Sequence, residues 1–76
     1  KKAGAKSIIM SLWKVSNVAT IKLMLEFYRN YFSGKSKHES LLQAQKYLRE
    51  YKDESGEQPF KDPYYWAAWV LLDGID

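Results

Sequence analysis

Bond-making chemistry has little to work with in this chain of 76 residues: one histidine, a scatter of carboxylates and no cysteine. His38 falls at about the second position of an expected helix, beside Ser36, which is already needed as the helix cap. Without a thiol to activate, it reads as a surface residue of a helix–loop–helix corner. Asp53, Glu54, Glu57, Asp62, Asp73 and Asp76 lie in loops and at the end of the chain. Paired carboxylates do acid–base work only where a fold converges them, and this spacing does not demand it. The glycines are isolated, so no phosphate-cradling loop exists. One imidazole with no thiolate cannot build a zinc site. No catalytic residue, cofactor or metal ligand is assigned.

The segment Ser11-Leu12-Trp13-Lys14-Val15 is different, because it lies where a strand is expected to end and a helix to begin. Ligands of open α/β sheets bind outside the carboxyl ends of strands. A Trp with a neighbouring Lys there can line a peptide groove, with strand backbone offered for pairing. Ser11, Trp13 and Lys14 are therefore the candidate substrate-binding residues. The alternative is that Trp13 packs in the core and Lys14 is simply solvated.

Four elements must position that segment. Ser7–Val15 is an apolar run rich in β-branched and aromatic residues, of strand length. Ile8, Ile9, Met10 and Leu12 do not alternate with polar residues, which predicts a strand covered on both faces. Ser16 or Asn17 can cap the helix that follows. Ile21, Met24, Leu25, Tyr28 and Phe32 fall at helical spacing on it, opposite Lys22, Glu26 and Arg29. Leu23 and Phe27 widen its apolar face, so it is expected to be buried on more than one side. Gly34 stops it. Ser36-Lys37-His38-Glu39 is a capping box, and Leu41, Ala44, Leu48 and Tyr51 form the buried stripe of a second helix, antiparallel to the first. Lys52–Pro63 is a polar connector with turn signals. Tyr64–Leu72 is nearly uncharged and reads as a closing strand entered at Pro63 and ended by Asp73-Gly74. The order is strand, helix, helix, strand in an α/β fold, with the two strands adjacent and antiparallel. Two strands do not make an independent sheet, so the chain reads as one end of a larger mixed sheet.

Composition bounds the partners. The net charge is +3, with Lys1, Lys2, Lys6, Lys14 and Lys22 near the start. A nucleic-acid face wants a denser basic stripe among stacking aromatics, so no nucleic acid is expected. No apolar run approaches the roughly 20 residues of a membrane span, and no membrane partner is expected. There is no signal-like region at the start. The lack of cysteine is compatible with a reducing compartment, and a cytoplasmic location is the expectation. Three tryptophans, six tyrosines and three phenylalanines supply a large burial payload for so short a chain.

The stretch Ala3-Gly4-Ala5-Lys6-Ser7-Ile8-Ile9-Met10-Ser11-Leu12-Trp13-Lys14-Val15 resembles a segment of CHAT domains, caspase-like modules often joined to tetratricopeptide repeats. Three more segments agree in order. Ala19-Thr20 with Leu23-Met24 and Phe27-Tyr28 is similar to a helix of that family, as is Gly34-Lys35-Ser36 with Leu41 or Leu42 and Ala44-Gln45. Pro63-Tyr64-Tyr65-Trp66-Ala67-Ala68-Trp69-Val70-Leu71 resembles its closing segment. The resemblance implies a caspase-like three-layer sandwich with a six-stranded mixed sheet, whose last strand runs antiparallel to its neighbour. It also implies a cysteine endopeptidase with a His–Cys dyad placed earlier than Lys1. His38 matches no catalytic motif, so residues 1–76 are expected to be the C-terminal portion of one domain, inactive alone. The strand at Ser11-Leu12-Trp13-Lys14 would line the groove and pair with a protein or peptide substrate. Many relatives carry acids where Ser16 and Asn17 stand. Their absence, with Lys14 nearby, leaves a preference for a basic side chain unsupported.

A second reading takes the chain as a structural and interaction module of an inactive domain. Its uncharged Tyr64–Leu72 run would then be an edge for self-association.

Overall fold

The computed structural model describes residues 6–75. The Ala3-Gly4-Ala5 part of the opening stretch, together with Lys1, Lys2 and Asp76, lies outside them. The element order is β1 (Lys6–Ser11), α1 (Asn17–Phe32), α2 (Lys37–Glu50), α3 (Pro63–Trp66) and β2 (Trp69–Ile75). β1 and β2 are adjacent and antiparallel, with Ile8 opposite Leu72, Ile9 opposite Leu71, Met10 opposite Val70 and Ser11 opposite Trp69.

Each helix starts and stops where local chemistry dictates. The Ser16 side chain accepts from the Ala19 amide and caps α1. At the other end Gly34 sits at φ 111°. Its amide donates to the Tyr31 carbonyl and the Lys35 amide to the Asn30 carbonyl, which is the paired closure of a Schellman motif. Ser36 caps α2 by accepting from the Glu39 amide, while the Glu39 carboxylate accepts from Gln43 Nε2 at 2.8 Å.

The core is made by the two helices and one face of the hairpin. Ala19, Leu23 and Phe27 of α1 meet Leu41, Ala44 and Leu48 of α2, with Val15, Phe60, Ala68 and Trp69 closing the cluster. Ile9 and Leu71, directly opposite each other in the ladder, face this cluster. Of the stripe expected on α2, Leu41, Ala44 and Leu48 are buried, whereas Tyr51 lies just past the helix and is half-buried. Phe60 joins the core from inside the polar connector, against Tyr51 and Tyr65. The connector turns just before it, where Asp53 Oδ1 accepts from the Ser55 and Glu57 amides and Gly56 takes φ 86°.

Five expectations need correction. The first strand ends at Ser11 rather than at Val15, because the chain bends after Leu12 and delivers Val15 into the core. On α1 the buried line is Ala19, Leu23 and Phe27, whereas Ile21, Leu25, Tyr28 and Phe32 are exposed. A helix apolar on opposite sides offers either to the core, and the small Ala19 admits closer packing. β1 is covered on one face only among the described residues: Ile8 and Met10 are exposed on the other. The Tyr64–Leu72 run is not one strand. Asp62 Oδ1 accepts from the Tyr64 amide and Pro63 occupies the first turn, so Pro63–Trp66 winds as a short helix before β2 begins. Asp73-Gly74 does not end β2. The register slips between the Ile8–Leu72 and Lys6–Ile75 pairs, so these residues form a bulge within it.

Ser40 is fully buried in α2, and its hydroxyl finds no hydrogen-bond partner among the described residues. A buried unbonded hydroxyl costs about 1–3 kcal/mol, and alanine is the better helix former. Ser40→Ala should therefore stabilise the chain by about 1 kcal/mol in urea unfolding. A destabilised variant would mean that the hydroxyl is bonded after all.

Candidate peptide-groove wall

The candidate site is built where β1 runs out. Beyond Ser11 the Leu12 amide still donates at 2.8 Å to the carbonyl of Ala68, the residue before β2, which guides the chain one residue past the strand. The next two residues are then held by α3. Trp13 Nε1 donates to the Tyr64 carbonyl at 2.8 Å. The Tyr64 hydroxyl donates back to the Lys14 carbonyl. Their rings stack, with centroids 6.4 Å apart and planes at 27°. Each aromatic therefore satisfies a backbone carbonyl of the other's segment, and the pair forms a clasp between the β1–α1 turn and α3.

The clasp leaves its aromatic surface in water. Trp13 is 40% exposed and Tyr64 48%. Lys14 is exposed and Ser11 half-buried. Ser11, Trp13 and Lys14 share one short stretch, and Trp13 is not among the buried residues of the core. β1 pairs with β2 along one edge, and no described strand pairs with the other. Backbone N–H and C=O groups on such an edge can receive an extended peptide.

Tyr64 is the residue that sequence reasoning placed wrongly. Read as a strand residue, it had no reason to meet Trp13. The signal was present in Asp62-Pro63, a cap followed by the residue preferred in a first helical turn.

The platform behind the clasp is braced by polar groups of aromatic and amide side chains. Gln45 Nε2 of α2 donates to the Trp66 carbonyl at 2.8 Å and to the Trp69 carbonyl at 3.3 Å. Trp66 Nε1 donates to the Lys61 carbonyl at 2.9 Å, and Trp69 Nε1 to the Tyr65 carbonyl at 3.1 Å. These bonds satisfy the carbonyls where α3 gives way to β2, and fix α3 against α2.

His38 is exposed near the start of α2. Among the described residues no group of His, Asp and Glu side chains could hold a metal ion. Asp53 is held below its ordinary carboxylate value, first by the Ser55 hydroxyl and then by backbone amides, and this belongs to the connector turn. A separate cavity of about 320 Å³ is lined by Ile9, Met24, Phe27, Tyr28, Tyr31 and Leu71, together with Lys37 and Ser7, whose Nζ and Oγ are hydrogen-bonded. Neither Ser11, Trp13 nor Lys14 lines it. No helix of the described residues is long and apolar enough to cross a membrane.

Two helices between a strand and its adjacent antiparallel return are what the CHAT resemblance anticipates. The family model of the CHAT domain matches residues 2–74. The chain belongs to the CHAT-domain family. That match places it in a family related to the caspase-like peptidases, and covers every element described above but the last residue of β2. Neither a curated protein nor a solved structure matches the chain.

Proposed function

We propose that this CHAT-domain chain is the C-terminal portion of a caspase-like cysteine endopeptidase domain, and that it completes the sheet and forms one wall of the peptide groove. In this reading the His–Cys dyad comes from an upstream segment and residues 1–76 are inactive alone. The observation that carries the proposal is the Trp13–Tyr64 clasp. It holds the turn at the end of β1 rigid, beside a strand edge that no described residue pairs. Extended peptides are gripped by such edges, with neighbouring side-chain walls selecting among them. Ser11 and Lys14 flank the clasp, and Lys14 favours acidic or neutral peptide side chains over basic ones.

The bare outer face of the hairpin supports the same reading. Ile8, Met10 and Leu72 are exposed there, and a second layer of helices would cover them as in a three-layer sandwich. The test is to join the chain to the upstream part of its parent and present a peptide library. Cleavage is expected from the joined protein and none from residues 1–76 alone. Total inactivity with an intact dyad would reject the peptidase reading.

The same exposed residues favour a second reading, a structural and interaction module of an inactive domain. Here β2 (Trp69–Ile75), rather than the whole of Tyr64–Leu72, offers the edge for self-association. Light scattering should then show dimers or larger species at high concentration. A monodisperse monomer would defeat it.

A further inference from the structure

We propose that Gln45, a residue of α2 that is no part of the wall, is a positioning residue for the Trp13–Tyr64 clasp; its consequence for substrates rests on the groove reading above. α3 holds only four residues, Pro63–Trp66. One turn of helix is unstable by itself, because its formation fixes several dihedrals for one hydrogen bond. Here that bond runs from the Ala67 amide to the Pro63 carbonyl, at 2.8 Å. Carbonyls at the end of a helix have no partner within it, and that of Trp66 is such a group. Gln45 Nε2 donates to it at 2.8 Å and reaches the Trp69 carbonyl at 3.3 Å. The carbonyls on either side of Ala67 and Ala68 are thus tied to one amide of a 14-residue helix.

That joint carries the approach to the groove. The Ala68 carbonyl accepts from the Leu12 amide, the Tyr64 carbonyl accepts from Trp13 Nε1, and the Tyr64 hydroxyl donates to the Lys14 carbonyl. Leu12, Trp13 and Lys14 are therefore held by Tyr64 and Ala68, and the backbone around those two is held by Gln45. The indole bonds do not replace it. Trp66 Nε1 ends on the Lys61 carbonyl and Trp69 Nε1 on the Tyr65 carbonyl, both within the same stretch of chain, so neither ties that stretch to α2. Arg49 of α2 lies over the Trp66 ring, 5.5 Å from its centroid, which restrains the ring rather than the backbone. Two carbonyls facing one atom call for two N–H donors on it. A side-chain amide nitrogen has them, whereas a carboxylate or thioether of similar length has none.

The test reads the clasp in the full chain, by hydrogen exchange of the Leu12 amide and the Trp13 indole N–H. Gln45→Met should speed both by about tenfold, while the Leu23 and Leu48 amides of α1 and α2 keep their rates. Gln45→Glu keeps the shape of the side chain and removes its donors, so it should act at least as strongly. In the chain joined to its upstream part, Gln45→Met should raise KM for a cleaved peptide by about fivefold or more and leave kcat within about twofold, since the wall binds and does not react. Unchanged exchange at Leu12 and Trp13, acceleration equal throughout both helices, or Gln45→Glu behaving as the unsubstituted chain would each overturn the proposal. Faster exchange with KM unmoved would overturn its bearing on substrates. Absence of cleavage by the unsubstituted joined domain would reject the groove reading instead, and the exchange rates would still decide the role of Gln45.

Discussion

Leu23→Ala is expected to destabilise the chain by about 2–5 kcal/mol and to leave it largely unfolded at 37 °C. Leu23 is fully buried in the middle of α1, between Ala19 and Phe27, and is among the largest side chains with no exposure at all. Its removal opens a cavity at the helix–helix contact, and little nearby can collapse into it. Ala19 and Ala44 have no side-chain length to give, and Leu48 is itself fully buried. Domains hold only about 0.05–0.15 kcal/mol per residue, so 76 residues give roughly 4–11 kcal/mol in total. One such cavity consumes much of that. Leu23→Met, which keeps the volume, should cost less than about 1.5 kcal/mol. Urea unfolding of both variants by circular dichroism checks this. An alanine variant as stable as the methionine one would place the core elsewhere.

Trp13→Ala should cost about 1–3 kcal/mol and release the β1–α1 turn from α3. The value lies below that for a buried tryptophan because Trp13 keeps 40% of its surface in water. The loss has two parts: the stacked contact with Tyr64, and the bond from Nε1 to the Tyr64 carbonyl. Tyr64→Phe keeps the stack and removes only the hydroxyl that serves the Lys14 carbonyl, so it should cost about 0.5–1.5 kcal/mol. Because the two residues hold each other, the double variant should fall short of the sum by about 0.5 kcal/mol or more. Exact additivity would mean that the two bonds are independent and that no clasp exists. In a joined, active domain Trp13→Ala should depress cleavage even where folding is intact, since the wall of the groove would then be mobile.

Much of this fold is legible in the sequence because its boundaries are local. Ser16, Gly34 and Ser36 act within one turn of chain, and each does so where it was expected. The Leu41, Ala44 and Leu48 stripe is equally local, being one period repeated on an otherwise polar helix. α1 is harder for a physical reason. Apolar residues surround most of it, so periodicity alone cannot say whether Leu23 or Leu25 meets α2, and packing decides. The closing run misleads because Tyr64–Leu72 carries no polar break. What divides it lies upstream, in the Asp62 cap and Pro63, whose fixed φ suits a first helical turn as well as a strand entrance. Ser11–Val15 is expected between a strand and a helix, and residues 12–16 do lie between β1 and α1, but the contact of Trp13 with α3 is not foreseen. Trp13 and Tyr64 are 51 residues apart, and no pattern within either segment announces a bond between them.

The proposed groove is tested most directly by trapping a substrate in it. A peptide carrying a photoreactive group would be bound to the chain joined to its upstream dyad-bearing part, irradiated, and the cross-links located by mass spectrometry. Attachment at Ser11, Trp13 or Lys14, lost in the Trp13→Ala variant, is the predicted result. Cross-links confined to α2 or to the far edge of β2, with residues 11–14 untouched, would contradict it.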